Sequence, residues 1–176
     1  IEVIDKIKTG LEGELPGVRA WAKMTVRAVD NEKENLQILN DCLSKEKLDA
    51  LRDAAILIAL FEKDGEYCFP MIKRPENVKN HPGQIDLRGG SKEEEESLEE
   101  TALREAQEEI GVEPDKIEII GKLTTIPVPV SGYLVQTYIG VMDEEPEWKL
   151  SENEVADFFV LKEFFSQTYL FENSCQ

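Results

Sequence analysis

Arg104, Glu105, Glu108 and Glu109 lie within six consecutive residues of this chain. Residues three and four positions apart share one face of an α-helix, so the three glutamates can direct their carboxylates toward one point. Clustered carboxylates repel one another unless a cation lies among them. Oxygen ligands favour hard ions such as Mg²⁺ or Mn²⁺, and Mg²⁺ is commonly bound by a few carboxylates together with substrate phosphate oxygens. The spacing therefore predicts a divalent-metal site for phosphate chemistry.

The composition limits the possible partners. A chain of 176 residues with 41% hydrophobic content predicts one compact domain over 1–176, with a helical segment of about 1–50 packed on it. Its net charge of −17 repels nucleic acids and anionic membranes, so neither is an expected partner. The same charge opposes an anionic small molecule, which would need bound cations and a few local Lys or Arg side chains. That requirement agrees with the predicted metal site.

Cysteine content and hydropathy predict a cytoplasmic protein. Cys42, Cys68 and Cys175 are an odd number without metal-ligand spacing, which is typical of free thiols in a reducing compartment. The longest apolar run, 54–61, has eight residues, far fewer than the roughly 20 that cross a bilayer. The N-terminus shows no basic region followed by a hydrophobic one, so no leader is expected.

Hydrophobic periodicity predicts the elements before the glutamate cluster. The first fifty residues have helical spacing, while 18–30 stays ambiguous between helix and strand. The run 54–61 predicts a buried strand, and 67–72 predicts a second strand after a tight turn at Asp64-Gly65. Residues 74–90, rich in Pro, Asn and Gly, predict a long loop that runs into a short strand at 84–87.

The glutamate cluster lies on a predicted helix with clear ends. Ser97 followed by Glu100 fits a capping box, and Gly111 stands where a left-handed residue would end the helix. The expected apolar face consists of Leu98, Ala102, Leu103, Ala106 and Ile110. The acidic residues are then expected on the opposite, solvent-facing side.

The remaining pattern predicts strands at 116–125, 133–142 and 154–161, with a loop at 127–129 and a closing helix at 162–169. Strands of one sheet alternate with helical segments along the chain. We therefore expect an α/β fold, an α/β/α sandwich with a mixed β-sheet.

The stretch from Gly90, GSKEEEESLEETALREAQEEIGV, resembles the Nudix box at each position that the pattern specifies. The matched positions are Gly90, Glu96, Arg104, Glu105, the apolar Ala106, Glu108, Glu109, Gly111 and the apolar Val112. The resemblance implies a Nudix-type fold and an enzyme that splits nucleoside diphosphate derivatives. In this family, water attacks the pyrophosphate with Mg²⁺ or Mn²⁺ as the cofactor.

The resemblance also implies roles for these residues. Glu105, Glu108 and Glu109 would be metal ligands, with the Gly90 carbonyl completing the coordination. Glu105 is the candidate base and Arg104 orients a glutamate, so that Glu105, Arg104 and Glu109 form the implied catalytic set. Three roles stay open for Glu96: it ligates a second ion, pairs with Arg104, or stabilises the helix N-terminus.

A second resemblance covers 70–90, PMIKRPENVKNHPGQIDLRGG, which is similar to the coenzyme A pyrophosphatase signature within the Nudix family. Arg74, Gly83, Gly89 and Gly90 stand in register with it. Lys79 replaces the second arginine of the pattern, and Leu87-Arg88 replaces Phe-Pro. The substrate-binding residues implied for the phosphates of coenzyme A are Arg74, Lys79, His81 and Arg88.

Three functional readings follow. The first is hydrolysis of coenzyme A or acyl-CoA to 3′,5′-ADP and 4′-phosphopantetheine or its acyl form. The second keeps the chemistry with a dNTP, ADP-ribose, a nucleotide sugar or a dinucleotide. The third is a non-catalytic module that binds a small nucleotide, which the intact box disfavours. Glu152 and Glu154 lie where many Nudix proteins supply an extra carboxylate. The sequence leaves the oligomeric state open, and a homodimer is one possibility.

Overall fold

The fold is built around a long central strand, β1 (Arg52–Lys63), in a computed structural model that describes residues 2–15, 17, 44–77, 82–128 and 131–162. Alternate residues of β1 enter two separate apolar clusters, for example Leu57 on one face and Leu60 on the other. A strand buried on both faces needs a continuous apolar run, which is why 54–61 was readable as a strand.

The described residues form seven further strands of the sheet that contains β1. They are β2 (Glu66–Lys73), β3 (Ile85–Asp86), β4 (Arg88–Ser91), β5 (Glu118–Lys122), β6 (Ile126–Val128), β7 (Tyr133–Val141) and β8 (Asp157–Lys162). The main order is β3-β2-β1-β7-β5, with β4 added to β1, β6 to β7 and β8 to β2. β1 and β7 run parallel and the other pairs are antiparallel, which confirms the predicted mixed sheet.

Helices cover both faces of this sheet. The described helices are α1 (Glu2–Glu12), α2 (Lys45–Asp49) and α3 (Leu98–Ile110), with a short 3₁₀ turn at Pro114–Lys116. α3 packs Ala102, Ala106 and Ile110 into the cluster that contains Leu57. On the other face, Ile4 of α1 packs with Leu60 and Ile139. The α/β/α arrangement expected from the sequence is confirmed.

Some strand boundaries differ from the prediction. Residues 127–129 were predicted as a loop, but Ile126–Val128 forms β6 and pairs with the start of β7. Pro127 is tolerated because, among the described strands, β6 is bonded to β7 alone and has a free edge. The last strand begins at Asp157 rather than residue 154 and ends at Lys162, the expected first residue of the closing helix. The segment 18–30 and the rest of that helix, 163–169, lie outside the described residues.

The ends of α3 agree with the sequence prediction. Ser97 Oγ accepts the Glu100 N–H at 3.2 Å, and the Glu100 carboxylate accepts the Ser97 N–H at 2.7 Å. Gly111 ends the helix in the left-handed region, at φ 73°. One expectation is wrong: Glu109 is only 4% exposed, so the glutamates do not all face solvent.

No helix in the described part of the chain is long and apolar enough to span a membrane.

Candidate active site

The candidate site lies where β4 leaves the sheet and leads into α3. β4 pairs with β1, with Gly90 opposite Ala55. A methyl group on Gly90 would overlap the Glu105 carboxylate, and one on Gly89 would overlap the main chain of β1. Both glycines are therefore required by close approach. The absence of a side chain at Gly90 allows the Glu105 carboxylate to lie directly against the backbone of β4.

Arg104 is the centre of the polar network. Its Nε and Nη2 donate to Glu96 Oε2 and Oε1 at 3.1 and 3.0 Å. Its Nη1 donates to Glu105 Oε1 at 2.9 Å and to Glu108 Oε2 at 3.1 Å. Nη2 also donates to the Ser91 carbonyl, at 3.1 Å. One guanidinium thus joins three carboxylates of the Nudix-like segment to the end of β4.

Glu96 is fully engaged in this network. Besides Arg104, its Oε1 accepts the Glu93 N–H at 2.7 Å and the Thr101 hydroxyl at 2.8 Å. The hydrogen bonds from Arg104, followed by those from Glu93 and Thr101, lower the pKa of Glu96 to about 2. The bonds with Glu96 in turn raise the pKa of Arg104. Of the three roles left open for Glu96, these contacts favour pairing with Arg104.

Glu105 has a different environment from Glu96. Its side chain is 17% exposed, and burial is the main cause that raises its pKa. Arg104 opposes this shift, while the negative charges of Glu108 and of Glu154, in the β7–β8 loop, add to it. A carboxylate whose pKa is raised is a stronger proton acceptor, which suits the expected role of Glu105 as a base.

The donor set suits a hard divalent cation, although the carboxylates now face an arginine. Within the described ranges, no three Asp, Glu, His or Cys side chains are placed so as to hold a metal ion. In this arrangement Arg104 Nη1 donates to one oxygen of Glu105 and to one oxygen of Glu108. The available donors are all oxygens, which fits Mg²⁺ or Mn²⁺. A bound ion would use the other oxygen of each carboxylate, Glu105 Oε2 and Glu108 Oε1, which Arg104 does not bond. Buried Glu109 lies one helical turn beyond Glu105.

The expected substrate-binding residues are only partly described. Arg74 follows β2, and its N–H donates to the Gln84 carbonyl at 2.8 Å, which closes the base of the loop 74–84. The Nε of Arg74 is buried and has no hydrogen-bond partner within the described residues. Arg88 belongs to β4, while Lys79 and His81 lie outside the described residues.

Three contributors to the network were not predicted. Thr101 holds Glu96, the Ser91 carbonyl holds Arg104, and Tyr133 Oη lies 2.8 Å from Ser91 Oγ. Thr101 stands three residues before Arg104, so helical spacing carries a signal for it. Tyr133 is distant in sequence and reaches the site only through the pairing of the strands.

A mixed α/β sandwich whose loop and helix present these glutamates defines the class of Nudix hydrolases, enzymes that act on pyrophosphate bonds and generally use divalent metal ions. Residues 50–171 match the model of the NUDIX domain, and the chain belongs to this family. An uncharacterized Nudix hydrolase, NudL of Enterobacter sp. (strain 638), is 33% identical over 132 residues, which cover 74% of this chain and 67% of that protein.

Solved structures show the same fold at lower identity. The C. elegans Ap4A hydrolase, in a binary complex, aligns with a TM-score of 0.53 and 16% identity over 64% of this chain and 80% of that chain. The NUDIX domain of Shewanella oneidensis NrtR, complexed with ADP ribose, aligns with a TM-score of 0.50 and 19% identity, covering 72% and 82%. These likenesses concern the fold alone.

Proposed function

We propose that this chain is a cytoplasmic, Mg²⁺- or Mn²⁺-dependent hydrolase of the pyrophosphate bond in coenzyme A or acyl-CoA, with 3′,5′-ADP and 4′-phosphopantetheine or its acyl form as products. The observation that carries the proposal is the guanidinium of Arg104, bonded at once to Glu96, Glu105 and Glu108 beside Gly90. It holds the acidic groups of the Nudix box in one place.

The chemistry requires neutralisation of charge and a proton acceptor. When bound, the divalent ion supplies charge neutralisation at the phosphate oxygens and acidifies the attacking water. Glu105, the proposed base, accepts the proton of that water. Arg104 holds Glu105 and Glu108 in place, and Glu96 holds Arg104 from the other side. Gly90 and the buried Glu109 complete the proposed metal-binding set.

The choice of coenzyme A depends on the loop that follows β2. A coenzyme carrying a pyrophosphate and a 3′-phosphate needs cationic groups, because the net charge of the protein is −17. The buried Nε of Arg74 has no hydrogen-bond partner within the described structure, and we propose the Arg74 guanidinium as a donor to such an anion. The spacing of Arg74, Gly83 and Gly89 along the sequence matches that of the coenzyme A pyrophosphatase signature. Lys79, His81 and Arg88 remain predicted phosphate contacts.

A second candidate function keeps the reaction and changes the nucleotide. Two solved structures of the same fold, one named an Ap4A hydrolase and another complexed with ADP ribose, supply the nucleotides for the comparison. Both nucleotides contain the pyrophosphate that the chemistry requires. They differ from coenzyme A outside that bond, so a direct comparison of substrates distinguishes the two proposals.

The test is to incubate the purified protein with Mg²⁺ and, in separate reactions, coenzyme A, ADP-ribose, Ap4A and a dNTP, and to identify the products by mass. We expect 4′-phosphopantetheine and 3′,5′-ADP from coenzyme A. Cleavage of another nucleotide with coenzyme A left intact would reject the first candidate in favour of the second. Binding without turnover of any of them would favour the non-catalytic reading.

Arg74→Ala tests the substrate pocket. It should raise the KM for coenzyme A by about tenfold or more with little change in kcat, because a charge-assisted hydrogen bond contributes roughly 1.5–3 kcal/mol. Lys122→Ala, which removes one positive charge from an exposed position of β5, is the matched control. An unchanged KM for Arg74→Ala would remove this residue from the pocket.

A further inference from the structure

The end of β4 is tied to the candidate site by a carbonyl rather than by a side chain. Ser91 is the last residue of β4, and its carbonyl accepts from Arg104 Nη2 at 3.1 Å. Immediately after Ser91, Lys92 N donates to Asp53 O at 2.9 Å, and the chain then leaves the sheet. The direction of the Ser91 carbonyl therefore helps to set the orientation of the guanidinium.

The side chain of Ser91 has its own partner two strands away. Tyr133, the first residue of β7, lies opposite Arg52 of β1, and its hydroxyl is 2.8 Å from Ser91 Oγ. β4 and β7 flank β1 on opposite sides. With strands about 4.8 Å apart, the tyrosine side chain has to extend across the width of β1 to make this contact. The Tyr133–Ser91 bond thus joins the end of β4 to the start of β7, in addition to the pairing of both strands with β1.

Arg52 fixes the direction of the tyrosine ring. Its guanidinium carbon lies 4.4 Å from the centroid of the Tyr133 ring, within the range of a cation–π contact. A continuous set of contacts therefore runs from Arg52 through Tyr133 and Ser91 to Arg104, and from Arg104 to Glu105.

We propose that Tyr133 is a positioning residue, whose hydroxyl fixes the Ser91 carbonyl and through it the orientation of Arg104 toward Glu105 and Glu108. The kinetic part of this inference rests on the proposed hydrolase function. The structural part does not, because the position of the Arg104 guanidinium can be observed without turnover.

Tyr133→Phe removes only the hydroxyl and keeps the ring beneath Arg52. We expect kcat to fall about 3- to 10-fold, the range that one hydrogen bond supplies, with KM changed less than about twofold. Ser91→Ala should have the same effect, and the double variant should be no slower than either single variant, because both remove the same bond. Ser131→Ala is the matched control. It removes the hydroxyl of a residue just before β7, and this hydroxyl donates to the Val128 carbonyl.

The second readout is the Nε–H resonance of Arg104 in a ¹H–¹⁵N spectrum, assigned by its loss in Arg104→Lys. We expect the chemical shift of this resonance to change in Tyr133→Phe and Ser91→Ala and to stay the same in Ser131→Ala. An unmoved resonance, or a kcat for Tyr133→Phe equal to that of wild type, would overturn the inference. If the wild-type protein hydrolyses none of the nucleotides, the proposed function fails, and the resonance alone decides the role of Tyr133.

Discussion

Replacing Glu96 by glutamine tests the role of this carboxylate as the anchor of Arg104. The glutamine keeps the size of the side chain and removes its charge. Because the pKa of Glu96 falls from 4.5 to about 2 and the side chain is 15% exposed, the ionised form contributes about 3 kcal/mol to the free energy of unfolding at pH 7. Glu96→Gln should lower the free energy of unfolding by about this amount.

The difference in the free energy of unfolding between wild type and Glu96→Gln should depend on pH, and this dependence identifies the charge of Glu96 as its source. A carboxylate with a lowered folded-state pKa stabilises the protein above its unfolded-state pKa, and this stabilisation is lost as the pH falls through the folded-state value. With the two pKa values of Glu96, the difference between wild type and variant shrinks by less than about 1 kcal/mol from pH 7 to pH 4. It shrinks by about another 1 kcal/mol between pH 4 and pH 3.

The assay is urea unfolding of both proteins, followed by circular dichroism at pH 7, 4 and 3. The exposed Glu94, in the same loop, provides a control variant, Glu94→Gln, that removes the same charge and should leave the free energy of unfolding nearly unchanged. A Glu96→Gln variant as stable as Glu94→Gln at pH 7 would refute the anchoring role. A deficit of the same size at all three pH values would show that the charge of Glu96 is not its source.

Three further changes test other parts of the site. Glu105→Gln should lower kcat by about 10²- to 10⁴-fold, the contribution of a general base, while the thermal midpoint stays close to that of wild type; turnover near the wild-type level would contradict the assignment. Gly90→Ala should displace the Glu105 carboxylate and lower kcat by about 100-fold. The control is Gly13→Ala, at a site with space for a methyl group, which should leave kcat unchanged. Ser97→Ala should lower the free energy of unfolding in urea by about 1 kcal/mol, because it removes the helix cap. A loss of kcat as large as that of Gly90→Ala would show that the cap does more than stabilise α3.

Local signals made α3 and the strands around it predictable. The capping box at Ser97, the terminating Gly111 and the apolar run of β1 each act over a few residues, so a single sequence carries them. β6 escaped prediction because its three residues contain a proline and it is a strand only by pairing with β7.

The glutamate motif was readable from spacing, but the arrangement of its members was not. Helical periodicity cannot show that Glu109 is buried while Glu108 on the same helix is exposed, because burial depends on what packs against α3. Likewise, Ser91 and Tyr133 are 42 residues apart, and only the placement of β4 and β7 on either side of β1 brings them together. Side chains that join different strands are thus the part of the site that tertiary structure alone defines.

A titration with Mn²⁺, monitored by electron paramagnetic resonance, tests the proposal that Glu105, Glu108 and Glu109 hold a divalent ion. Potassium chloride at high concentration suppresses weak binding to the general negative charge of the protein. We expect a Mn²⁺ site of equal affinity in the wild-type protein and in Glu94→Gln, and an affinity at least tenfold weaker in Glu109→Gln. Equal Mn²⁺ affinity in all three proteins would contradict the proposed metal ligands.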